Sequence, residues 1–172
     1  MLMICQQPDV AIVGAKLYYP DNLIQHAGVV LGMGGIAGHI MCQASCEDKG
    51  YFGRAVNVQE ISAVTAACML MKAEDFETVG GFDEEFVVAF NDIDFCMKLR
   101  KAGYLIVYNP YAELYHYESK SRGLEDTPEK VARFNKEIQI FEKRWPDILR
   151  NGDPYYNPNL TLKSQDFSLR RI

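Results

Sequence analysis

Two periods of apolar and polar positions alternate along this chain, and the switches between them mark its elements. Val10 to Tyr19, VAIVGAKLYY, is rich in β-branched and aromatic residues and stops at the turn pair Pro20-Asp21, which predicts a strand. Ile24 to Leu31, IQHAGVVL, predicts a second strand, close enough to form a hairpin with the first. Gly32 to Gly38, GMGGIAG, predicts a mobile surface loop. It lacks the GxGxxG spacing between strand and helix and has no Walker lysine, so it does not read as a phosphate cradle. Ile61 to Met71, ISAVTAACMLM, is the most strand-like buried segment. Its small residues Ala63, Ala66 and Ala67 would admit a ligand, or equally another backbone, at close range.

Beyond Lys72 the period lengthens. Ala73 to Val79 predicts a short helix stopped by Gly80-Gly81. Asp92 to Ala102 predicts a stronger one, with Phe95, Met97, Leu99 and Ala102 apolar, Lys98, Arg100 and Lys101 near its C-terminus and Gly103 as its stop. Leu105 to Tyr108 and Ala112 to Tyr117 predict strands on either side of Asn109-Pro110. Thr127 to Trp145 predicts a long helix with Thr127 as N-cap, Pro128 at its first position and Val131, Phe134, Ile138 and Phe141 at helical spacing. Residues 151–172 are polar and turn-rich, and predict a tail that wraps the surface or is partly disordered.

The composition narrows the class. A chain of 172 residues with 48% hydrophobic content is long enough for one substantial core. The net charge of −5 disperses Lys and Arg among acids and argues against a nucleic-acid partner. No apolar run is long enough to span a bilayer, and the first residues lack a signal-like pattern. Five scattered Cys suit reduced thiols, and Cys68 and Cys96 lie in apolar surroundings. His39, Cys42 and Cys46 lack the fourth ligand and tight pairing of a structural zinc site.

The chemistry concentrates between Gly80 and Ser119. Asp83, Glu84, Glu85, Asp92 and Asp94 exceed what capping one helix requires, and suggest a general base beside a polar substrate. Asp92 and Asp94 spell D-x-D, but side chains two apart on a helix diverge by roughly 200°, so the pair does not chelate one ion. Asp92 reads as a base or as a simple cap; Asp94 reads as a first-turn residue favoured by the helix dipole.

These residues carry a resemblance. GGFDEEF, AFNDIDFCMKLRKAGY and HYES, with VGAKLYYPDNLIQHAGVVLG and VTAACMLMK upstream and SKSRGLEDTPEK and DPYYNPNL downstream, are similar to the acceptor-side half of family 2 glycosyltransferases. Within that family the likeness is to bacterial rhamnosyltransferase-like enzymes of surface polysaccharide synthesis. The resemblance implies an α/β fold, a partial GT-A fold with a mixed sheet flanked by helices, in residues 1–150. The family's nucleotide-binding strand and metal-binding DxD do not occur upstream of Val10, which suggests a C-terminal half, inactive in isolation and self-associating through an orphaned sheet edge. The implied reaction moves a sugar, with inversion, from a nucleotide-sugar donor to a hydroxyl of a glycan or lipid-linked acceptor. It would take place in the cytoplasm or at the inner face of the membrane. The rival reading is a non-catalytic carbohydrate-binding or assembly domain on the same scaffold.

Residue by residue, the resemblance makes Asp92 the catalytic base and assigns Ala67, Cys68, Gly81, Phe82, Asp83, Glu84 and Asn91 to acceptor binding. Asn91 stands where the family more often has Glu. Lys120 and Arg122 would meet the diphosphate, or form a solvated basic loop. His116 would complete a divalent metal site for Mn²⁺ or Mg²⁺, or pack among Tyr115 and Tyr117. His26 reads as structural.

Overall fold

The computed structural model describes residues 1–117 and 127–171. A short helix α1 (Leu2–Cys5) leads into β1 (Val10–Tyr18), buried along its whole length. There follow β2 (Ile24–His26), β3 (Val29–Leu31), β4 (Ala37–His39), β5 (Gln59–Glu60) and β6 (Met69–Met71). The second half holds α2 (Ala73–Thr78), α3 (Asn91–Lys101), β7 (Leu105–Tyr115), α4 (Pro128–Arg144) and α5 (Pro146–Asn151). β1 runs parallel to β7 from Val10 to Tyr18. Its other edge is shared by antiparallel β6, opposite Ile12–Gly14, and antiparallel β2, opposite Leu17 and Tyr18. β5 adds antiparallel to β7. The result is a mixed α/β fold whose central strand is apolar at almost every position because both of its faces are covered, with the buried Lys16 lying 3.9 Å from Glu113 as the exception.

Three expectations are corrected. Ile61 to Met71 is not one strand: only Met69–Met71 joins the sheet. Its first half is buried but crosses the sheet, with Ile61 N–H donating to Ile106 O (2.9 Å) and Ala63 O accepting from Val29 N–H (3.0 Å). Gly14 makes the crossing possible, since a Cβ there would lie 2.4 Å from Val64 Cγ1. An apolar run reports burial, and here burial comes from lying over β1 rather than beside it. Ile24 to Leu31 breaks at Gly28, φ +109°, so that β3 leaves the sheet to pair with β4; the glycine-rich segment between them buries Met33 and Ile36. The two strands expected around Asn109-Pro110 are one, with a bulge: Ala15 pairs with Asn109 but Lys16 with Glu113, and the extra residues accommodate Pro110.

Helix α4 begins as expected, with Thr127 Oγ1 accepting from Lys130 N–H (3.4 Å). Its inner face does more than pack. Glu137, 1% exposed, accepts from Val88 N–H on Oε1 and from Ala89 N–H on Oε2, both at 3.0 Å. One turn from the end, Phe141 meets Phe86 and Phe90. In the last turn Arg144 Nη1 donates to Asp83 Oδ2 (2.7 Å) and to both oxygens of Asp94 (3.2 Å each), and Nη2 donates to Glu85 Oε2 (2.5 Å). Trp145 Nε1–H donates to Asp94 Oδ1 at 2.8 Å, and Asp94 is completely buried. The acidic loop 83–90 is thereby clamped between α4 and α3. The Glu85 amide, followed by Arg144, holds the Asp83 carboxyl below its ordinary pKa. Burial opposes the Arg144 charge, yet Asp83 and Asp94 outweigh it and hold its pKa above the usual value.

Residues 151–171 are tied to this body. Asp153 accepts from Leu31 N–H (2.8 Å) and Ser62 Oγ–H (2.6 Å), and Leu160 bridges Leu169.

Two measurements follow from the packing. Breaking the clamp by Arg144→Met leaves the Asp94 carboxylate buried with only Trp145, and should cost about 3–5 kcal/mol in urea unfolding. Glu137→Gln, which keeps one acceptor and sets an amide N–H against another donor, should cost about 1–3 kcal/mol. Losses of less than about 0.5 kcal/mol, as for ordinary surface changes, would refute the clamp.

The second measurement concerns His26. It is wholly buried, its Nδ1 lies 3.3 Å from His39 Nδ1, and its Nε2 has no hydrogen-bond partner among the described residues. Burial first, then His39, drives its pKa well below 6.5. The unfolded chain therefore takes up a proton below about pH 6.5 that the native chain refuses, and stability falls as the pH drops through that value. Comparing parent and His26→Gln between about pH 7 and 5, the parent should lose up to about 1.4 kcal/mol more per pH unit. Parallel curves would exclude His26 as the source.

Candidate active site

The N-terminus of α3 is built without an oxygen-bearing cap. The residue before it is Phe90, at φ +63°, a left-handed conformation costly for an aromatic residue. The ring is held by Phe134 and Phe141, with centroids 5.5 and 5.6 Å away, while its carbonyl accepts the first helical bond from Asp94 N–H (2.8 Å). This turn sets Asn91 and Asp92 on the first turn of the helix. Asn91 Oδ1 accepts from Asp92 N–H at 2.7 Å.

Asp92 is gripped from two segments. Its Oδ1 accepts from Ile93 N–H (2.9 Å), and its Oδ2 accepts from Ala66 N–H (3.0 Å) across a separation of 26 residues. A carboxylate offers about four acceptor positions, so two backbone amides orient the group and leave capacity for a hydroxyl proton. The partly buried Asp92 thus faces a turn of small residues. Ala66 and Ala67 are exposed there, Cys68 is partly buried, and Ala67 N–H donates to Thr65 Oγ1 (3.3 Å). Ala67 and Cys68, expected on a strand, reach the site through this turn. The turn is anchored to the sheet by Ala15 N–H donating to Cys68 O at 3.3 Å. Below it Cys96 is buried against Val64 O (3.8 Å), and burial pushes its thiol up to about 12, so it stays an inert thiol.

The remaining candidates divide. Gly81 has φ +66°, and a Cβ there would lie 2.7 Å from the Phe76 ring; its carbonyl accepts from Lys98 Nζ (2.6 Å), which ties the loop to α3. Phe82 is 40% exposed, with its ring 4.9 Å from that of Phe95. Glu84 is exposed. Asp83 has Oδ2 on Arg144 and Oδ1 on the Glu85 amide, so it is a strut of the clamp. Lys120 and Arg122 lie outside the described residues.

His116 follows β7, its N–H donating to Tyr18 O (2.9 Å) and its Nδ1 lying 2.9 Å from Gln25 Oε1. With that oxygen as acceptor, Nδ1 carries the proton and Nε2 the lone pair. Cys68 reaches β1 at Ala15 and His116 reaches it at Tyr18, three residues or about 10 Å further along. No contact joins His116 to Asp92 among the described residues. Nor do the described residues gather three His, Cys, Asp or Glu side chains able to hold an ion. They do not by themselves form a metal site.

Residue patterns alone missed Ala66 as a backbone donor and the group of Asp94, Glu137, Arg144 and Trp145. One signal was available: Asp94 interrupts the apolar series Ile93, Phe95, Met97, where a carboxylate requires a buried partner.

Several curated proteins are similar to this chain. A Sinorhizobium fredii protein named uncharacterized protein y4gI is 55% identical over 172 residues, covering 98% of this chain and 19% of its own length. The O-antigen biosynthesis protein RfbC of Myxococcus xanthus is 38% identical over 167 residues, covering 96% of this chain and 13% of its own length. N-acetylglucosaminyl-diphospho-decaprenol L-rhamnosyltransferase of Mycobacterium tuberculosis is 37% identical over 78 residues, covering 45% of this chain and 25% of its own length. No protein-family model and no solved structure matches the chain. The chain spans less than a fifth of the length of the first two relatives, and two of the three are named for O-antigen biosynthesis and L-rhamnosyl transfer.

Proposed function

We propose that this chain is the acceptor-side, base-carrying part of an inverting family 2 glycosyltransferase with a GT-A-type fold, acting in the synthesis of a bacterial surface polysaccharide. The observation that carries the reading is the Asp92 carboxylate, oriented by the Ala66 and Ile93 amides at a turn of exposed small residues. The names of the relatives support the substrate class. In the reaction Asp92 takes the proton of an acceptor hydroxyl. The hydroxyl oxygen forms its bond to the anomeric carbon as the bond from that carbon to the nucleoside diphosphate breaks on the opposite side. Ala66, Ala67 and Cys68 leave room for the acceptor, and the exposed face of Phe82 offers a surface for a sugar ring. A divalent ion, Mn²⁺ or Mg²⁺, belongs to the reading; His116 can offer it one imidazole nitrogen, and its other ligands would come from beyond the described residues. The acceptor is a glycan or a lipid-linked glycan, met in the cytoplasm at the inner face of a membrane.

The rival is a carbohydrate-binding domain without turnover, and Asp92 separates the two. In a preparation with transferase activity, Asp92→Asn should lower turnover about a hundredfold or more, with substrate affinity little changed. Asn keeps one acceptor for two backbone donors, so stability should fall by only about 1 kcal/mol. Turnover within about twofold of the parent would return Asp92 to a capping role.

A further inference from the structure

We propose that the open cleft between the β3–β4 ribbon and the C-terminal segment is a second carbohydrate site, which holds a run of neutral sugar units. The cleft has a volume of about 880 Å³, inside the roughly 300–1,000 Å³ typical of ligand sites. None of its lining residues belongs to the turn or the helix that hold Asp92. Its lining takes Met41, Gln43, Asp48 and Tyr51 from the segment after β4 and Asp166 and Phe167 from the C-terminal segment. The Tyr51 and Phe167 rings stack, with centroids 5.6 Å apart and planes 14° apart. Both also line a neighbouring concavity of about 390 Å³ beside Tyr155, so the pair forms an aromatic ridge between two hollows.

Backbone strain marks the same place. Met41, Gln43 and Phe167 have φ of +61°, +68° and +56°, and Phe52, next to Tyr51, has +53°. Non-glycine residues in this region are costly and concentrate where a chain must present a particular surface. The only others among the described residues are Asn22 and Phe90, and Phe90 introduces Asp92. Two of the loops are braced by carboxylates: Asp48 Oδ1 accepts from Gly50 N–H (2.8 Å), and Asp166 Oδ1 accepts from Ser164 Oγ–H (2.6 Å) and Ser168 N–H (3.1 Å).

The chemistry selects sugars. An aromatic face packs against the C–H side of a pyranose, while the amides of Gln43 and Gln165 and the carboxylates of Asp48 and Asp166, each with several acceptor positions, meet its hydroxyls. Asp48 and Asp166 against Lys163 give the cleft a net negative lining, which disfavours phosphates and nucleic acid. An open trough with two hollows fits a chain of repeating units better than a compact apolar ligand. The choice of a glycan rests on the glycosyltransferase reading above. The location rests on the cleft alone.

The test is an NMR titration of this chain with a tetrasaccharide of α-L-rhamnose, a tetrasaccharide of N-acetylglucosamine, and inorganic pyrophosphate. At least one tetrasaccharide should shift amides of residues 41–52 and 163–167, with or without a separate response at the Asp92 turn, and pyrophosphate should not compete. Tyr51→Ala should weaken binding about tenfold or more, while Tyr51→Phe keeps most of it. If Tyr51→Ala does not fold, Gln165→Trp, which fills the cleft from its rim, should abolish binding. Asp92→Asn should bind the glycan as the parent does, so a failure of the proposed base and a failure of this site give different results. Shifts confined to residues 65–68 and 82–92, competition by pyrophosphate, or no shift with either tetrasaccharide would overturn the proposal.

Discussion

A buried carboxylate shared between two side chains of one helix end organises this structure. Asp94 is out of water, and in that position it requires the Arg144 guanidinium and the Trp145 indole N–H. Because Asp94 sits one turn into α3 and Arg144 in the last turn of α4, satisfying the carboxylate fixes the two helices against each other. Arg144 also reaches Asp83 and Glu85, and Glu137 takes the amides of Val88 and Ala89, so the loop between them has little freedom. The Phe90 backbone is held in its left-handed conformation at the end of this chain of constraints, and Asp92 emerges two residues later. The helix end that carries the candidate base is therefore held by groups that do not touch its carboxylate.

The other side of the site depends on a missing side chain. Only glycine at position 14 lets Val64 lie on β1, and that contact brings the following turn to the helix end, where Ala66 meets Asp92. One oxygen of Asp92 is thus tied to its own helix and the other to a segment anchored on the sheet. A carboxylate fastened at both oxygens to rigid elements keeps its orientation without help from solvent, as a group that must meet a hydroxyl at hydrogen-bond distance requires.

What could be read from residue pattern was whatever depends on neighbours in sequence. The strand at Val10–Tyr18, the helix at Asn91–Lys101, the Thr127 cap and the glycine reversal at Gly80-Gly81 are all local decisions, and periodicity or turn chemistry reports them. The location of Asp92 at a helix mouth was legible for the same reason. The path of Ile61–Val64 was not, because an apolar run has the same composition whether it lies in a sheet or over one. The single strand through Asn109-Pro110 was hidden likewise: a proline suggests a break, and only the parallel partner β1 shows that a bulge absorbs it. The division of roles among the acids was hidden most deeply, since it is decided by α4, some fifty residues away in sequence.

That division explains why an acidic stretch of uniform appearance yields one reactive candidate. Asp83, Glu85 and Asp94 are all paired with the Arg144 guanidinium, and the Glu85 amide, then Arg144, holds the Asp83 carboxyl below its ordinary pKa. Glu137, at a distance in sequence, is filled by two loop amides and approached by Arg133 at 4.0 Å. Glu84 is exposed, so solvent screens it. Asp92 differs from all of these: it is partly buried, oriented by neutral amides, and beside a surface of small side chains that leaves space for another molecule. Among the described residues, the negative charges around it thus build the frame and pair within it, while the one carboxylate that the frame positions is held by backbone amides.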